Sequence, residues 1–327
     1  MEENIKSFPD HLINSFSNFN SIKLTKNKFN SILIVGQGGS SVGALILSDL
    51  LKKDIKIPII VNHGYKLPNW VSKETLIIIS SYSGNTEETL NILKLCINKG
   101  FIPECVSSGG KILKICNKNK INFTYLPEGY QPREALGFSI YALFSILYKY
   151  GIISRTSFMK LKNSSKQLSK SQAEIIKKAK ELSVKIYNKV PIIYSSNLFV
   201  GLVTRFKQQL NENSKNLCWF NIIPEMNHNE IVGWDLSNKD INSNFISLFI
   251  KSHLDIKKNH KRIDFTLDYL KQKKISSELI IMDHGDLYFQ YLYLINLLDF
   301  VSFYLAGKKN VDPYNIDSII TLKSKLK

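Results

Sequence analysis

The chain has 327 residues, with 44 Lys and Arg against 27 Asp and Glu, a formal net charge of +17 at pH 7. At 44% hydrophobic and 22% charged residues it has the make-up of ordinary globular protein, which excludes a disordered tail or a fibre. Nine prolines and sixteen glycines exclude collagen-like and low-complexity chains.

The positive charge is dispersed, as in Lys26-Asn27-Lys28, Asn117-Lys118-Asn119-Lys120 and Lys257-Lys258-Asn259. A nucleic-acid face needs clustered charge and a recognisable motif; the chain has neither, so no nucleic-acid partner is expected. The longest mostly apolar stretch without charge, 135–148, falls short of the roughly 20 residues a membrane span needs. The chain opens on acids with no apolar run behind them, which reads as no secretory signal. A soluble, cytoplasmic protein with no membrane partner is the expectation. Cys96, Cys105, Cys116 and Cys218 contain no CxxC pair, so no metal, disulfide or cofactor is expected.

The first half alternates short apolar runs with helical patterns. Strands are predicted over 31–35, 59–61, 75–80, 103–106 and 121–125, with amphipathic helices over 42–52 and 87–99. Residues 132–150 read as one long buried helix, with Pro132 in its first turn and Gly151 past its end. A polar, Lys- and Ser-rich stretch at 154–171 marks the expected boundary, giving domains 1–153 and 154–327. After a charged helix at 172–189 the alternation repeats. Strands are predicted over 191–195, 217–223, 245–250 and 278–282, and helices over 202–212, 262–271, 287–306 and 316–326. The predicted fold class is therefore α/β, with two doubly wound parallel-sheet domains.

Two loops in the first half carry chemistry. Gly36-Gln37-Gly38-Gly39-Ser40-Ser41 follows the first strand and opens a helix. Such a turn presents backbone N–H groups and the positive helix end to an anion, although a tight turn alone also needs glycines. It matches neither the dinucleotide fingerprint nor a P-loop. Ser81-Tyr82-Ser83-Gly84-Asn85-Thr86-Glu87-Glu88-Thr89 follows another strand and opens a second helix. Capping needs only Asn85 or Thr86; Ser81, Ser83 and Thr86 together exceed that need and form both a capping box and an anion cradle. Both loops belong at the carboxyl edge of a doubly wound sheet, where ligands bind. Uncharged hydroxyls and amides suit a phosphate monoester.

Four charged or titratable residues stand out elsewhere. Arg133, read in a first helical turn, opposes the dipole by about 0.3–1 kcal/mol, and Glu128, Glu134 or an anionic ligand would offset that. Glu212 ends a helix whose apolar face is Val203, Phe206 and Leu210; such a glutamate is either solvated or functional. His228 sits between Asn227 and Asn229, in a loop where histidine serves either structure or proton transfer. Lys323, in the last helix, is either solvated charge like Lys325 and Lys327 or a functional group.

Residues 81–89 and the Gly38-Gly39-Ser40 turn resemble the signature of sugar isomerase (SIS) domains. Pro127-Glu128-Gly129-Tyr130-Gln131-Pro132-Arg133, Glu212-Asn213 and Asn227-His228-Asn229-Glu230 resemble the bifunctional phosphoglucose/phosphomannose isomerase family, from about residue 31 onward. The resemblance implies two flavodoxin-like SIS domains and a metal-independent aldose–ketose isomerase of glucose 6-phosphate, fructose 6-phosphate and mannose 6-phosphate. It implies that Gly39, Ser40, Ser81, Ser83 and Thr86 hold the phosphate. It further implies that His228 and Lys323 open the sugar ring, Glu212 moves the proton, and Arg133 stabilises the cis-enediolate. In this family the histidine comes from the neighbouring subunit, which implies a homodimer with its active site at the subunit interface. Two other readings keep the same pocket: a non-catalytic phosphosugar-binding SIS regulator, and an SIS isomerase of another sugar phosphate.

Overall fold

The computed structural model describes residues 1–25, 27–235 and 239–326. Lys26 and Lys327, named among the lysines above, lie outside the described residues. The chain forms two compact units, Lys6–Lys170 and Met1–Ile5 with Ser171–Lys327.

A short helix, α1 (Glu2–Lys6), spans the start of the chain, and α2 (Phe8–Ser15) opens the Lys6–Lys170 unit. There follow β1 (Ser31–Val35), α3 (Gly39–Leu51), β2 (Ile59–Asn62), β3 (Thr75–Ser80), α4 (Glu87–Asn98) and β4 (Glu104–Ser107). Then come α5 (Gly110–Asn119), β5 (Phe123–Tyr125), α6 (Leu136–Lys149) and α7 (Arg155–Lys170). The strands form a parallel five-stranded sheet ordered β2-β1-β3-β4-β5. Helices cover both faces, which is why β1 and β3 are buried throughout and apolar but for Ser31, Thr75 and Ser80 at their ends. Leu33, Val35, Ile77 and Ile79 pack with Ile92, Leu93 and Cys96 of α4 and Ile112 and Cys116 of α5. On β1 and β3 the intervening side chains point to the opposite face, that of α3 and α6.

In the second unit α8 (Gln172–Ile186), β6 (Val190–Ser196), α9 (Val200–Ser214) and β7 (Trp219–Ile223) lead to short helices α10 (Glu230–Gly233) and α11 (Lys239–Asn242). The chain continues through β8 (Phe245–Ser252), α12 (Lys257–Gln272), β9 (Ser276–Met282), α13 (Leu287–Lys308) and α14 (Asp317–Lys325). This sheet is parallel and four-stranded, ordered β7-β6-β8-β9. Ile263, Leu267 and Leu270 of α12 cover Tyr194 and Phe249 on one face, and α8 and α9 pack against α13 on the other. Helix α13 is long and apolar enough to cross a membrane, with a mean hydropathy of 1.3, but 89% of that window is buried inside the protein. It serves as a core helix.

The structure departs from the sequence reading in four places. The polar stretch expected to separate the domains is helix α7, whose Phe158, Leu161 and Leu168 are buried in the first unit. The division therefore falls at Lys170 and Ser171 rather than after residue 153. Helix α5 was not expected, because its Lys and Asn residues hide a narrow stripe of Ile112 and Cys116. Helix α6 begins at Leu136, so Arg133 lies in a preceding turn and not in the first helical turn. That turn is closed by Glu134, whose Oε2 accepts from Gln131 N at 3.1 Å. The capping box does not form either, for the reason given below.

Candidate active site

In the sheet order β2-β1-β3-β4-β5 the chain reverses direction of winding between β1 and β3. The loops leaving the carboxyl ends of those strands flank the crevice where doubly wound sheets take ligands. Those loops are the two glycine- and hydroxyl-bearing segments. Gly38, at φ +51°, is the N-cap of α3, and Thr86 is the N-cap of α4; no side chain caps either helix start. Backbone N–H groups at uncapped helix starts are ready donors for an anion.

The hydroxyls that sequence patterning assigned to capping are used otherwise. Thr86 Oγ1 and Ser81 Oγ hydrogen-bond each other at 2.8 Å, and Thr89 Oγ1 donates back to Thr86 O at 2.8 Å. Asn85 serves the neighbouring helix: its Oδ1 accepts from Lys111 N at 3.0 Å, in the first turn of α5. Ser40 Oγ accepts from Tyr82 N at 3.1 Å, which ties the first loop to the second. Ser40 and Ser81 are buried, while Ser83 is exposed at the rim and its Oγ accepts from Asn85 N at 3.3 Å. Gly84, at φ +63°, lies against Gly109, where an added Cβ would stand 1.9 Å from the Gly109 carbonyl oxygen.

Arg133 is brought to the same place. A Cβ on Gly39 would lie 3.1 Å from Pro132 O and 3.4 Å from Arg133 Cα, so the backbone beside Arg133 rests on the start of α3. Its side chain is buried, at 5% exposure. Gly39, Ser40, Ser81, Thr86 and Arg133 thus share one end of one unit, with Ser83 beside them.

Glu212, His228 and Lys323 belong to the other unit. Glu212 is partly buried on α9. The inner face of that helix carries Arg205, Gln209 and Asn213, one per turn. Arg205 and Gln209 bond Asp299, and Asn213 Nδ2 donates to Ser302 Oγ at 2.9 Å, all on α13. These bonds set the rotation of α9 and hence the direction in which Glu212 leaves it. Burial pushes the Asp299 carboxyl up, opposed by the Arg205 guanidinium and Gln209. Lys215 Nζ donates to Glu212 O at 2.7 Å and Asp312 O at 2.6 Å, joining the end of α9 to the C-terminal segment. This network was missed from sequence, where its signal was a lone aspartate inside the apolar run of α13.

His228 ends a short 3-10 turn and is exposed, while its neighbours are tied down. Asn227 Nδ2 donates to Thr266 Oγ1 at 3.0 Å, and Asn229 Oδ1 caps Glu230 N at 2.6 Å. Glu230 accepts from Tyr194 Oη at 2.5 Å and from Asn221 Nδ2 at 2.7 Å. Burial, with Glu230 beside it, pushes the Tyr194 hydroxyl well above the usual phenol range, so it stays a donor. The loop is held by these bonds and presents one imidazole to solvent. Lys323 is exposed on α14, a helix with no buried residue. Among the described residues, no group of three or more His, Cys, Asp or Glu gathers to hold a metal ion.

Residues 175–326 match the family described as the bacterial phospho-glucose isomerase C-terminal SIS domain. The chain is 36% identical over 314 residues to the bifunctional phosphoglucose/phosphomannose isomerase of Caldicellulosiruptor bescii, spanning 94% of this chain and 92% of that one. The chain belongs to the bifunctional phosphoglucose/phosphomannose isomerase family. A more distant relative of this isomerase-family chain is the D-glucosamine-6-phosphate 4-epimerase of Sulfolobus acidocaldarius, 31% identical over 223 residues and 68% of each chain. The fold is that of the C-terminal domain of glucosamine-fructose-6-phosphate aminotransferase from Francisella tularensis, with a TM-score of 0.73 at 14% identity, covering 95% of this chain and 96% of that one.

Proposed function

We propose that this chain is a cytoplasmic, metal-independent isomerase that interconverts glucose 6-phosphate and fructose 6-phosphate, and mannose 6-phosphate with them. What carries the reading is membership of the bifunctional isomerase family over nearly the whole chain. The hydroxyl cradle between β1 and β3 supports it, because neutral donors and helix starts are what a phosphate dianion needs.

In this reading Gly39, Ser40, Ser81, Ser83 and Thr86 receive the phosphate. His228 and Lys323 pass a proton between the ring oxygen and the C1 hydroxyl, which opens the ring. Glu212 removes the C2 proton of the aldose and returns it to C1, while the O2 hydroxyl proton passes to O1 so that the carbonyl ends on C2. The electron pair moves into a cis-enediolate, whose negative charge Arg133 stabilises. The exposure of His228 supports its reaching a neighbouring subunit, as the homodimer reading requires. So do Ile319, Ile320, Leu322 and Leu326, apolar side chains that α14 leaves in solvent.

The test is a coupled assay on fructose 6-phosphate that reads glucose 6-phosphate and mannose 6-phosphate separately, with and without EDTA. Both products are expected, at rates EDTA does not change. Complete loss in EDTA rejects the metal-independent scheme; appearance of neither product rejects the isomerase reading. The epimerase relative supports a second reading, action on an amino-sugar phosphate, which the same assay with glucosamine 6-phosphate would reveal.

A further inference from the structure

Residues 127–133 form the loop that delivers Arg133, and one side chain joins it to the cradle. Tyr82 lies between Ser81 and Ser83 in the hydroxyl loop, and is buried at 7% exposure. Its main chain is held from two sides. Tyr82 N donates to Ser40 Oγ at 3.1 Å, and Tyr82 O accepts from Ser108 N at 2.9 Å and Ser108 Oγ at 2.7 Å. Its hydroxyl then does two things at once: it donates to Pro127 O at 2.8 Å and accepts from Tyr130 N at 3.0 Å. One oxygen therefore closes the near half of the loop. The far half rests on Gly39 through Pro132. The Tyr130 ring is braced edge-on by His11 at 5.1 Å and tilted against Phe138 at 5.3 Å, which keeps the loop from rotating about that anchor.

We infer that Tyr82 is a positioning residue, which holds the Arg133-bearing loop in register with the phosphate cradle. The inference rests on the isomerase reading above and adds to it a residue that touches no reacting atom. Without the hydroxyl, Pro127 O and Tyr130 N lose their partner and the loop loosens, while the hydroxyls of Ser40, Ser81 and Thr86 keep their own bonds. A cation displaced by about 1 Å from a developing charge can cost on the order of a hundredfold in rate. The phosphate would notice little.

The experiment compares the full chain with its Tyr82→Phe variant, using two ligands and turnover. Inorganic phosphate reports on the cradle alone. A five-carbon phosphorylated aldonate, whose carboxylate stands where the enediolate charge develops, reports on cradle and Arg133 together. The expected result is phosphate affinity within about twofold, aldonate affinity down by about tenfold or more, and kcat reduced by a similar factor with KM little changed. Equal weakening of both ligands, as a general loss of structure would give, overturns the inference, and so does no weakening of either. If the unmodified chain forms no hexose phosphate product from fructose 6-phosphate, the isomerase reading itself fails. If it does and the variant shows no split, only the positioning role fails.

Discussion

Arg205 on α9 grips Asp299 on α13 in a fork, with Nε 2.9 Å and Nη2 2.6 Å from its two carboxylate oxygens and both side chains 5% exposed. Gln209 Nε2 adds a third bond at 3.1 Å. Removing one partner of such a pair strands the other charge away from water, at a cost of about 3–5 kcal/mol. Asp299→Ala should lower unfolding stability by about that much in urea titration, whereas the double replacement Arg205→Met with Asp299→Leu should recover most of it. Equal losses in the single and double variants would mean that packing, not charge, sets the stability of this helix pair.

Gly84 tests the cradle. At φ +63° any side chain is strained, by about 1–2 kcal/mol, and here its Cβ would meet a backbone oxygen that cannot step aside. Gly84→Ala should displace Ser83 and Thr86 together and raise KM for fructose 6-phosphate by about tenfold or more, the order expected from losing one or two hydrogen bonds to a charged group. An unchanged KM would take the phosphate away from this loop.

Glu212→Gln keeps the shape of the side chain and removes its basicity. A general base contributes about 10²- to 10⁴-fold, so kcat should fall in that range. Calorimetric affinity for fructose 6-phosphate should stay nearly the same. Retained turnover would assign the proton transfer to another group.

His11 makes acid stability readable. Burial against Phe138, stacked at 4.3 Å, pushes its imidazole down to about 4, although the charges of Asp10 and Glu134 act the other way. The neutral ring is therefore the folded form. Above about pH 6.5, the ordinary imidazole value, folded and unfolded chains hold the same protons at this site and nothing changes. Between about 6.5 and 4 the unfolded chain takes up a proton that the folded chain refuses, so stability falls with pH, by at most about 3 kcal/mol. His11→Asn should flatten that part of the urea-midpoint profile. A profile that keeps its slope would place the sensitivity elsewhere.

Some of this is legible in the amino-acid sequence. The apolar runs at 31–35 and 75–80 coincide with β1 and β3 to the residue, because a strand buried on both faces is an uninterrupted apolar segment bounded by polar turns. The places of the loops that follow them were readable for the same reason: glycine and hydroxyl residues stand where a strand ends and a helix starts. Helices α5 and α7 were not legible, since their buried stripes are narrow and their lysines dominate the local composition. Nor was the role of Tyr82, whose spacing in the loop resembles that of its serine neighbours and whose partners lie some 45 residues away in sequence.

By itself, then, the sequence determined the alternation of parallel strands and helices, the two glycine- and hydroxyl-bearing loops at strand ends and the family resemblance. These depend on periodicity and on residue types within a few positions of one another. Only the tertiary structure decided which hydroxyl bonds which, that Thr86 pairs with Ser81 instead of capping α4, and that Asn85 caps the next helix. It also decided that Arg133 rests against Gly39 and that Asp299 is the buried partner of Arg205. The reason is physical: a polar side chain has several partners of similar worth within reach of its own loop, and the choice among them falls to whichever distant segment the fold brings alongside.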